Sequence, residues 1–254
     1  MSPAVSVPAC VPPPPQSRLT APPPQSRLAA PPPQSRLAAP PPQWWIVVPV
    51  KDTARGKSRI TAAPAVRARL ARSLAADTIE AAVAAAGVRA VLAVVDTATD
   101  TALATAAGAL PVPTDGPGLA AAVEAGLTAA PEGAPVAVLL GDLPAARPSD
   151  IADVLAAVRP GEAVFVADAA GTGTTLVAAR DRRLRPLFGP GSAQAHRRAG
   201  FRDLAATGEI PEGLRHDVDT AADLAVVAAL PPPIGRATGA LLADDELRAA
   251  LTAT

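Results

Sequence analysis

Tyrosine and asparagine are absent from this 254-residue chain, lysine occurs twice, and cysteine and methionine once each. The lone Cys10 excludes an intrachain disulfide and any zinc site built on several thiolates, so a reducing cytoplasm is the expected location. With only two Trp and three Phe, any core must be close-packed from small aliphatic side chains. No apolar run approaches the roughly 18 residues that span a bilayer. The first residues also lack the basic start and continuous apolar stretch of a secretory signal. Acids and bases balance at 23 each, which argues against a nucleic-acid or membrane-surface binder but leaves room for a local basic site.

What is present divides in two. Fifteen of the 31 prolines fall in residues 1–43, where Gln-Ser-Arg-Leu recurs at 16, 25 and 34 behind a run of prolines. Proline removes amide donors and forces the preceding residue into extended backbone, so neither helix nor ladder is expected there. Residues 1–43 therefore read as a disordered Pro-rich leader, an accessory extension whose one conceivable role is docking to a proline-binding partner. From Trp44 the pattern becomes short β-branched runs alternating with Ala-rich helical stretches. Strands are expected at 46–50, 88–95, 136–140, 163–167 and 175–178. Helices are expected at 64–86, 117–130, 150–158 with Ser149 as N-cap, and 221–230 after Thr220. Apolar strands alternating with helices specify an α/β class and a mostly parallel, doubly wound sheet over residues 44–230, followed by a tail at 231–254.

Ligands of such sheets bind beyond the carboxyl ends of the strands, which directs attention to four loops. The first carries both lysines, Lys51 and Lys57, with Arg59. Where Arg supplies the rest of the basic charge, two compact ammonium groups after one strand suit phosphate oxygens, although a solvated basic turn has the same composition. The second is Gly141-Asp142-Leu143-Pro144, a carboxylate at a strand end that either holds a divalent cation or caps a turn. The third comprises Asp168 to Thr175 (DAAGTGTT) and, shortly after, Phe188-Gly189-Pro190-Gly191-Ser192. Backbone amides and hydroxyls there can approach a small anion, although a flexible hairpin turn has the same composition as the Gly-Thr stretch. His196, beside Arg197 and Arg198, is expected on a solvated helix face rather than as a general base. The fourth is Asp217-Val218-Asp219-Thr220. In extended backbone its two carboxylates share a side, so with Asp142 they make three oxygen ligands for magnesium, unless they serve as caps of the next helix.

Together the segments PVKDTARGKSRI, GDLP, GTGTTL, FGPGSAQAH and DVDTAADL, in this order from Trp45 to Leu230, resemble the guanylyltransferases of deazaflavin coenzyme F-420 biosynthesis. That resemblance implies a Rossmann-like nucleotidyltransferase fold and transfer of GMP from GTP to phosphoenolpyruvate or 2-phospho-L-lactate, with release of pyrophosphate. By motif it implies Asp142, Asp217 and Asp219 as Mg2+ ligands, and Thr174, Gly189 and Ser192 as the groups that hold the carboxylate and phosphate of the acceptor. Lys51, Lys57 and Arg59 then hold the GTP phosphates. Ala120 stands where the family usually has Asn after Leu119, a departure that bears on base or ribose contacts. Two other readings remain: a nucleotidyltransferase for a sugar phosphate or the molybdenum cofactor, and an inactive nucleotide-binding scaffold that presents the leader. The GTGTT and FGPGS pair favours a small phosphorylated carboxylate.

Overall fold

A computed structural model describes residues 43–50, 52–114, 116–180, 184–208, 210–231 and 234–252. The leader expectation for residues 1–42 and the site residue Lys51 lie outside the described residues. Among the described residues seven strands form one sheet: β1 (Trp44–Pro49), β2 (Val88–Val95), β3 (Leu110–Pro113), β4 (Val136–Leu139), β5 (Ala163–Ala167), β6 (Thr174–Ala179) and β7 (Arg202–Asp203). Their spatial order is β3-β2-β1-β4-β6-β5-β7. All pairings are parallel except the two made by β6, which runs antiparallel to β4 and β5. The sheet is therefore mostly parallel, as the alternating pattern requires.

Period-2 alternation divides the core in two. Ile46 and Val48 of β1 join Val91, Ala93, Ala137, Leu139, Val164 and Val166 on one face. Val47 joins Leu92, Val94, Val138, Phe165 and Val177 on the other. The first face is covered by α1 (Pro64–Ala84), α2 (Ala98–Ala106) and α4 (Pro148–Ala157), the second by α3 (Gly118–Ala129) and α5 (Ser192–Arg198). Both faces being buried explains why the strand sequences are apolar throughout rather than alternating with polar residues.

The close approach of α3 depends on Gly126, where a Cβ would overlap the methyl groups of Val47 and Val94. Helix α1 starts with Pro64, whose missing N–H costs nothing at that position. Its outer side, Leu70 and Leu74, builds a third cluster with Val218, Leu224, Val227, Leu241 and Leu251. This cluster docks α6 (Ala221–Ala229) and the C-terminal helices α7 (Arg236–Leu242) and α8 (Asp245–Thr252). Asp77 of α1 accepts from the backbone N–H groups of Ala237 and Thr238, both at 2.8 Å, so residues after 234 are fastened to the domain.

One expectation is corrected, and further elements lie where none was expected. α4 begins at Pro148 with Arg147 as N-cap, not after Ser149; Pro148 fixes the first turn, and Asp150 there pairs with Arg147 Nε at 2.8 Å. β3 and the two-residue β7 were not expected. Two prolines conceal β3, and its edge position is what tolerates them. α2, also unexpected, is capped by Thr97, whose side chain accepts from Asp100 N. No helix among the described residues is long and apolar enough to cross a membrane.

Candidate active site

Asp142 follows β4 across a turn that needs glycine for space. A Cβ on Gly141 would lie 3.0 Å from the Pro49 carbonyl oxygen, a tight contact that would push the ends of β1 and β4 apart by a few tenths of an ångström. The Val218 N–H donates to the Asp142 carbonyl at 3.1 Å. Val218 itself is fully buried in the third cluster. With Val218 pinned inward, its neighbours Asp217 and Asp219 are directed the other way by the alternation of extended backbone. One backbone hydrogen bond and one buried valine thus carry two acids to a third 75 residues away in sequence. A ligand oxygen from each of Asp142, Asp217 and Asp219 lies within 4.8 Å of the others. Helix capping falls instead to Thr220, which forms a reciprocal capping box with Asp223.

Such crowding has an electrostatic cost, and two observations register it. Burial, then the charge of Asp142, pushes the Asp217 carboxyl up from 3.8 to about 6. Lys57 supplies the counter-charge, with Nζ 2.6 Å from Asp142 Oδ2 and 3.3 Å from Asp219 Oδ1. Burial lowers the Lys57 ammonium, but the charges and hydrogen bonds of Asp142 and Asp219 outweigh it and hold the group above its ordinary value. Arg59 Nη1 adds a contact to Asp219 Oδ2 at 2.9 Å. Even so, Asp142 Oδ1 is buried without a hydrogen-bond partner. A carboxylate oxygen left bare inside an acidic cluster is what a hard cation with oxygen ligands would satisfy, so the residues present fit a divalent ion.

The loop bearing Lys57 is held at both ends. Thr53 donates to buried Asp100 through its hydroxyl at 2.6 Å and its N–H at 3.3 Å, and Ile60 is buried in the third cluster. Between these anchors Lys57 adopts φ 56°, the only positive φ among described non-glycine residues. A left-handed lysine costs about 1–2 kcal/mol, and its placement among the acids offsets that strain. The loop walls a cavity of about 380 Å³ with Gly56, Ser58, Leu119, Asp142 and Asp217. A second cavity, about 590 Å³, opens beside Ala120, Val123, Glu124, Leu184 and Phe188. Leu119 and Ala120 are consecutive in α3, so the departure at Ala120 faces the second cavity rather than the acidic one.

Because β6 is antiparallel, its first residue, Thr174, lies at the carboxyl ends of the parallel strands, where Leu140 N donates to Thr175 O at 2.9 Å. Asp168 shapes the preceding turn by accepting from Thr172 N at 2.9 Å and Gly173 N at 2.8 Å. Ser192 Oγ donates to Thr174 Oγ1 at 3.1 Å, while Ser192 N donates to the Gly189 carbonyl at 3.1 Å. Gly189 and Gly191 both have positive φ, 138° and 71°, which turns the chain so that Ser192 starts α5 beside Thr174.

The structure thus brings Asp142, Asp217, Asp219, Lys57 and Arg59 into one group, and Thr174, Ser192 and Gly189 into a second at the same end of the sheet. Among the described residues no hydrogen bond links the two groups. The expectation for His196 is corrected: it is fully buried, not solvated, and Thr174 Oγ1 lies 3.0 Å from its Nδ1. The Thr53–Asp100 tether also leaves no local pattern, since one partner is in a loop and the other 47 residues on in the first turn of α2.

Known proteins share both the sequence family and the fold of this chain. The profile of the MobA-like NTP transferase domain matches residues 68–209. A phosphoenolpyruvate guanylyltransferase of Streptomyces scabiei is 46% identical over 79% of this chain and 96% of its own length. Another from Geodermatophilus obscurus is 42% identical over 78% and 94%. Among solved structures, a nucleotidyl transferase from Methanothermobacter thermautotroptrophicus superposes with TM-score 0.54 at 16% identity, covering 73% of this chain and 95% of that one. A putative nucleotide-diphospho-sugar transferase from Desulfovibrio desulfuricans gives 0.57 at 15% identity, covering 81% and 96%. At such identities the structural likeness speaks for the nucleotidyltransferase fold alone.

Proposed function

Because this chain belongs to the phosphoenolpyruvate guanylyltransferases of the MobA-like NTP transferase family, we propose that it transfers GMP from GTP to phosphoenolpyruvate and releases pyrophosphate. The observation that carries the reading is the convergence of Asp142, Asp217 and Asp219 beside Lys57 in the wall of the acidic cavity. A phosphate oxygen of the acceptor attacks the α-phosphorus of GTP; that P–O bond forms as the bond to the bridging oxygen of pyrophosphate breaks. The attacking oxygen is already ionised near neutral pH, so no residue is needed as a general base. Bound at the three carboxylates, Mg2+ would serve as a Lewis acid that draws charge from the phosphate oxygens. Lys57 and Arg59 bring positive charge to the same place, and positioning on rigid strand ends supplies the rest. Lys51, six residues before Lys57 in sequence, is assigned to the GTP phosphates as well.

Thr174, Gly189 and Ser192 are assigned to the acceptor, on the strength of the hydroxyl pair and the turn that sets it. We assign catalysis to residues 44–230, with the C-terminal segment as a buttress on α1 and no part for residues 1–43. The motif resemblance further supports a cytoplasmic role in coenzyme F-420 synthesis.

The test is pyrophosphate release from purified protein with MgCl2, GTP and, in parallel, phosphoenolpyruvate, 2-phospho-L-lactate, a sugar phosphate or molybdopterin. Phosphoenolpyruvate should give the fastest release. Asp142→Ala should abolish it while far-UV dichroism stays unchanged. Sustained turnover by a folded Asp142→Ala enzyme at ordinary magnesium would end the assignment.

A further inference from the structure

The chain has three phenylalanines, and all three pack around one imidazole. Phe165 stacks on His196 with ring centroids 5.3 Å apart, Phe201 tilts against it at 5.1 Å and Phe188 meets it edge-on at 5.9 Å. Burial lowers the His196 pKa, and the Ser192 carbonyl, which favours a hydrogen on the ring, offsets this only in part. Both effects of the cage bear on the neutral ring, in which one nitrogen is a donor and the other an acceptor; a backbone N–H donating to a ring nitrogen requires that form.

Its surroundings decide which. The Leu187 N–H donates to Nε2 at 2.8 Å, so Nε2 carries the lone pair and Nδ1 carries the hydrogen. Nδ1–H then faces Thr174 Oγ1 at 3.0 Å, and Thr174 Oγ1 meets Ser192 Oγ at 3.1 Å. Three polar hydrogens meet two hydroxyl oxygens and the Ser192 carbonyl. The imidazole hydrogen is shared by Thr174 Oγ1 and that carbonyl, and one hydroxyl hydrogen lies between Thr174 and Ser192. The remaining hydroxyl hydrogen has no acceptor among the described residues, whichever way the Ser–Thr bond runs. A pair with a surplus hydrogen suits an anionic oxygen and disfavours a cation or a donor.

We propose that His196 is a positioning residue which, acting through Thr174, sets the Thr174–Ser192 hydroxyls as a hydrogen-bond donor to an anionic oxygen of the acceptor substrate. This rests on the assignment of Thr174 and Ser192 to the acceptor, and it goes further in giving those hydroxyls a defined polarity. A histidine at the edge of a phosphoryl-transfer site thereby acts without exchanging a proton.

The wild-type chain with 15N-labelled histidine provides the first test. Long-range proton–nitrogen spectra should show His196 with hydrogen on Nδ1 and none on Nε2 from about pH 6 to 8. Hydrogen on Nε2, or a charged ring in that range, would overturn the proposal. Two variants then separate polarity from packing. His196→Asn keeps an N–H near the Nδ1 position, whereas His196→Gln offers an oxygen to Leu187 N–H and removes the donor to Thr174. His196→Gln should raise KM for phosphoenolpyruvate about tenfold, equivalent to about 1.4 kcal/mol, with KM for GTP unchanged. His196→Asn should stay within about threefold of wild type, since it retains the donor. Equal effects of both variants on both substrates would mark a purely structural histidine and refute the proposal.

Calorimetry of phosphoenolpyruvate binding, with MgCl2 and a non-hydrolysable GTP analogue, keeps the two readings distinguishable. Binding that weakens in His196→Gln without any pyrophosphate release by wild type would refute the transfer reaction and uphold the positioning role. Normal turnover with unweakened binding by His196→Gln would do the reverse.

Discussion

Replacing Asp217 with Asn should stabilise the metal-free protein while abolishing transfer. In the fold the Asp217 carboxyl titrates at about 6 instead of 3.8, because burial and the charge of Asp142 both penalise its ionised form. A group that binds its proton more tightly in the folded than in the unfolded chain makes stability fall as pH rises. The fall begins near the unfolded value of about 4 and is complete above about 6. Two pH units at 1.36 kcal/mol each would amount to about 3 kcal/mol. Asp217 keeps part of its surface in water, and solvent screening reduces this to about 2 kcal/mol.

An amide at 217 carries no charge, so the variant escapes this penalty. In EDTA at pH 8, Asp217→Asn should melt about 4–8 °C above wild type, given 2–4 °C per kcal/mol for a domain of this size. The difference should shrink through pH 6 and vanish near pH 4. Millimolar MgCl2 should reverse the order, since only wild type retains all three carboxylates and ligand binding adds stability by mass action. Differential scanning fluorimetry over pH, with EDTA and with MgCl2, reads all of this. A variant that melts at or below wild type in EDTA at pH 8 would show that the acids do not strain one another, and the argument for a cation site would lose its electrostatic half.

Lys57→Met should act in the opposite direction. It leaves Asp142, Asp217 and Asp219 without their nearest counter-charge, and because those acids are partly exposed the loss should be about 2 kcal/mol rather than the 3–5 of a fully buried pair; thermal melting in EDTA should drop, MgCl2 should restore most of it, and an unchanged melt would contradict the pairing. Gly126→Ala pits two magnitudes against each other. Helix propensity favours alanine by about 1 kcal/mol, while overlap with Val47 and Val94 costs about 1–3 kcal/mol, so urea denaturation should show a net loss, and a gain would mean that α3 lies farther from the sheet.

The strands were legible because burial on both faces leaves a run of β-branched residues with no polar break, as in 46–50 and 163–167. β3 was not, because local chemistry argues against a strand in Leu-Pro-Val-Pro and only its place at the sheet edge permits one. The acidic site was half legible. Alternation alone puts Asp217 and Asp219 on one side, but nothing local says that the side faces Asp142. That depends on Val218 being drawn into a cluster with α1 and α7 and on its N–H reaching the Asp142 carbonyl, both consequences of packing between distant segments.

His196 shows the same limit from the other direction. Two flanking arginines suggested a solvated face, yet Arg197 turns out to Asp203 at 2.6 Å and leaves the imidazole inside. The helix is only seven residues long, too short to display an apolar period that would have revealed which side faces the sheet. Composition did hold a usable sign. A chain with three phenylalanines has few ways to enclose a polar ring, and Phe188 and Phe201 flank the helix that bears His196 on both sides in sequence. Aromatic residues bracketing a short helix in an otherwise aliphatic chain are better explained by something inside that needs a flat wall than by general core filling. The acidic site assembles through one backbone hydrogen bond, the hydroxyl site through a caged imidazole. In both, the groups assigned to substrate or metal are recognisable in sequence and the groups that orient them are not, because orientation is fixed by contacts between segments that the chain order keeps apart.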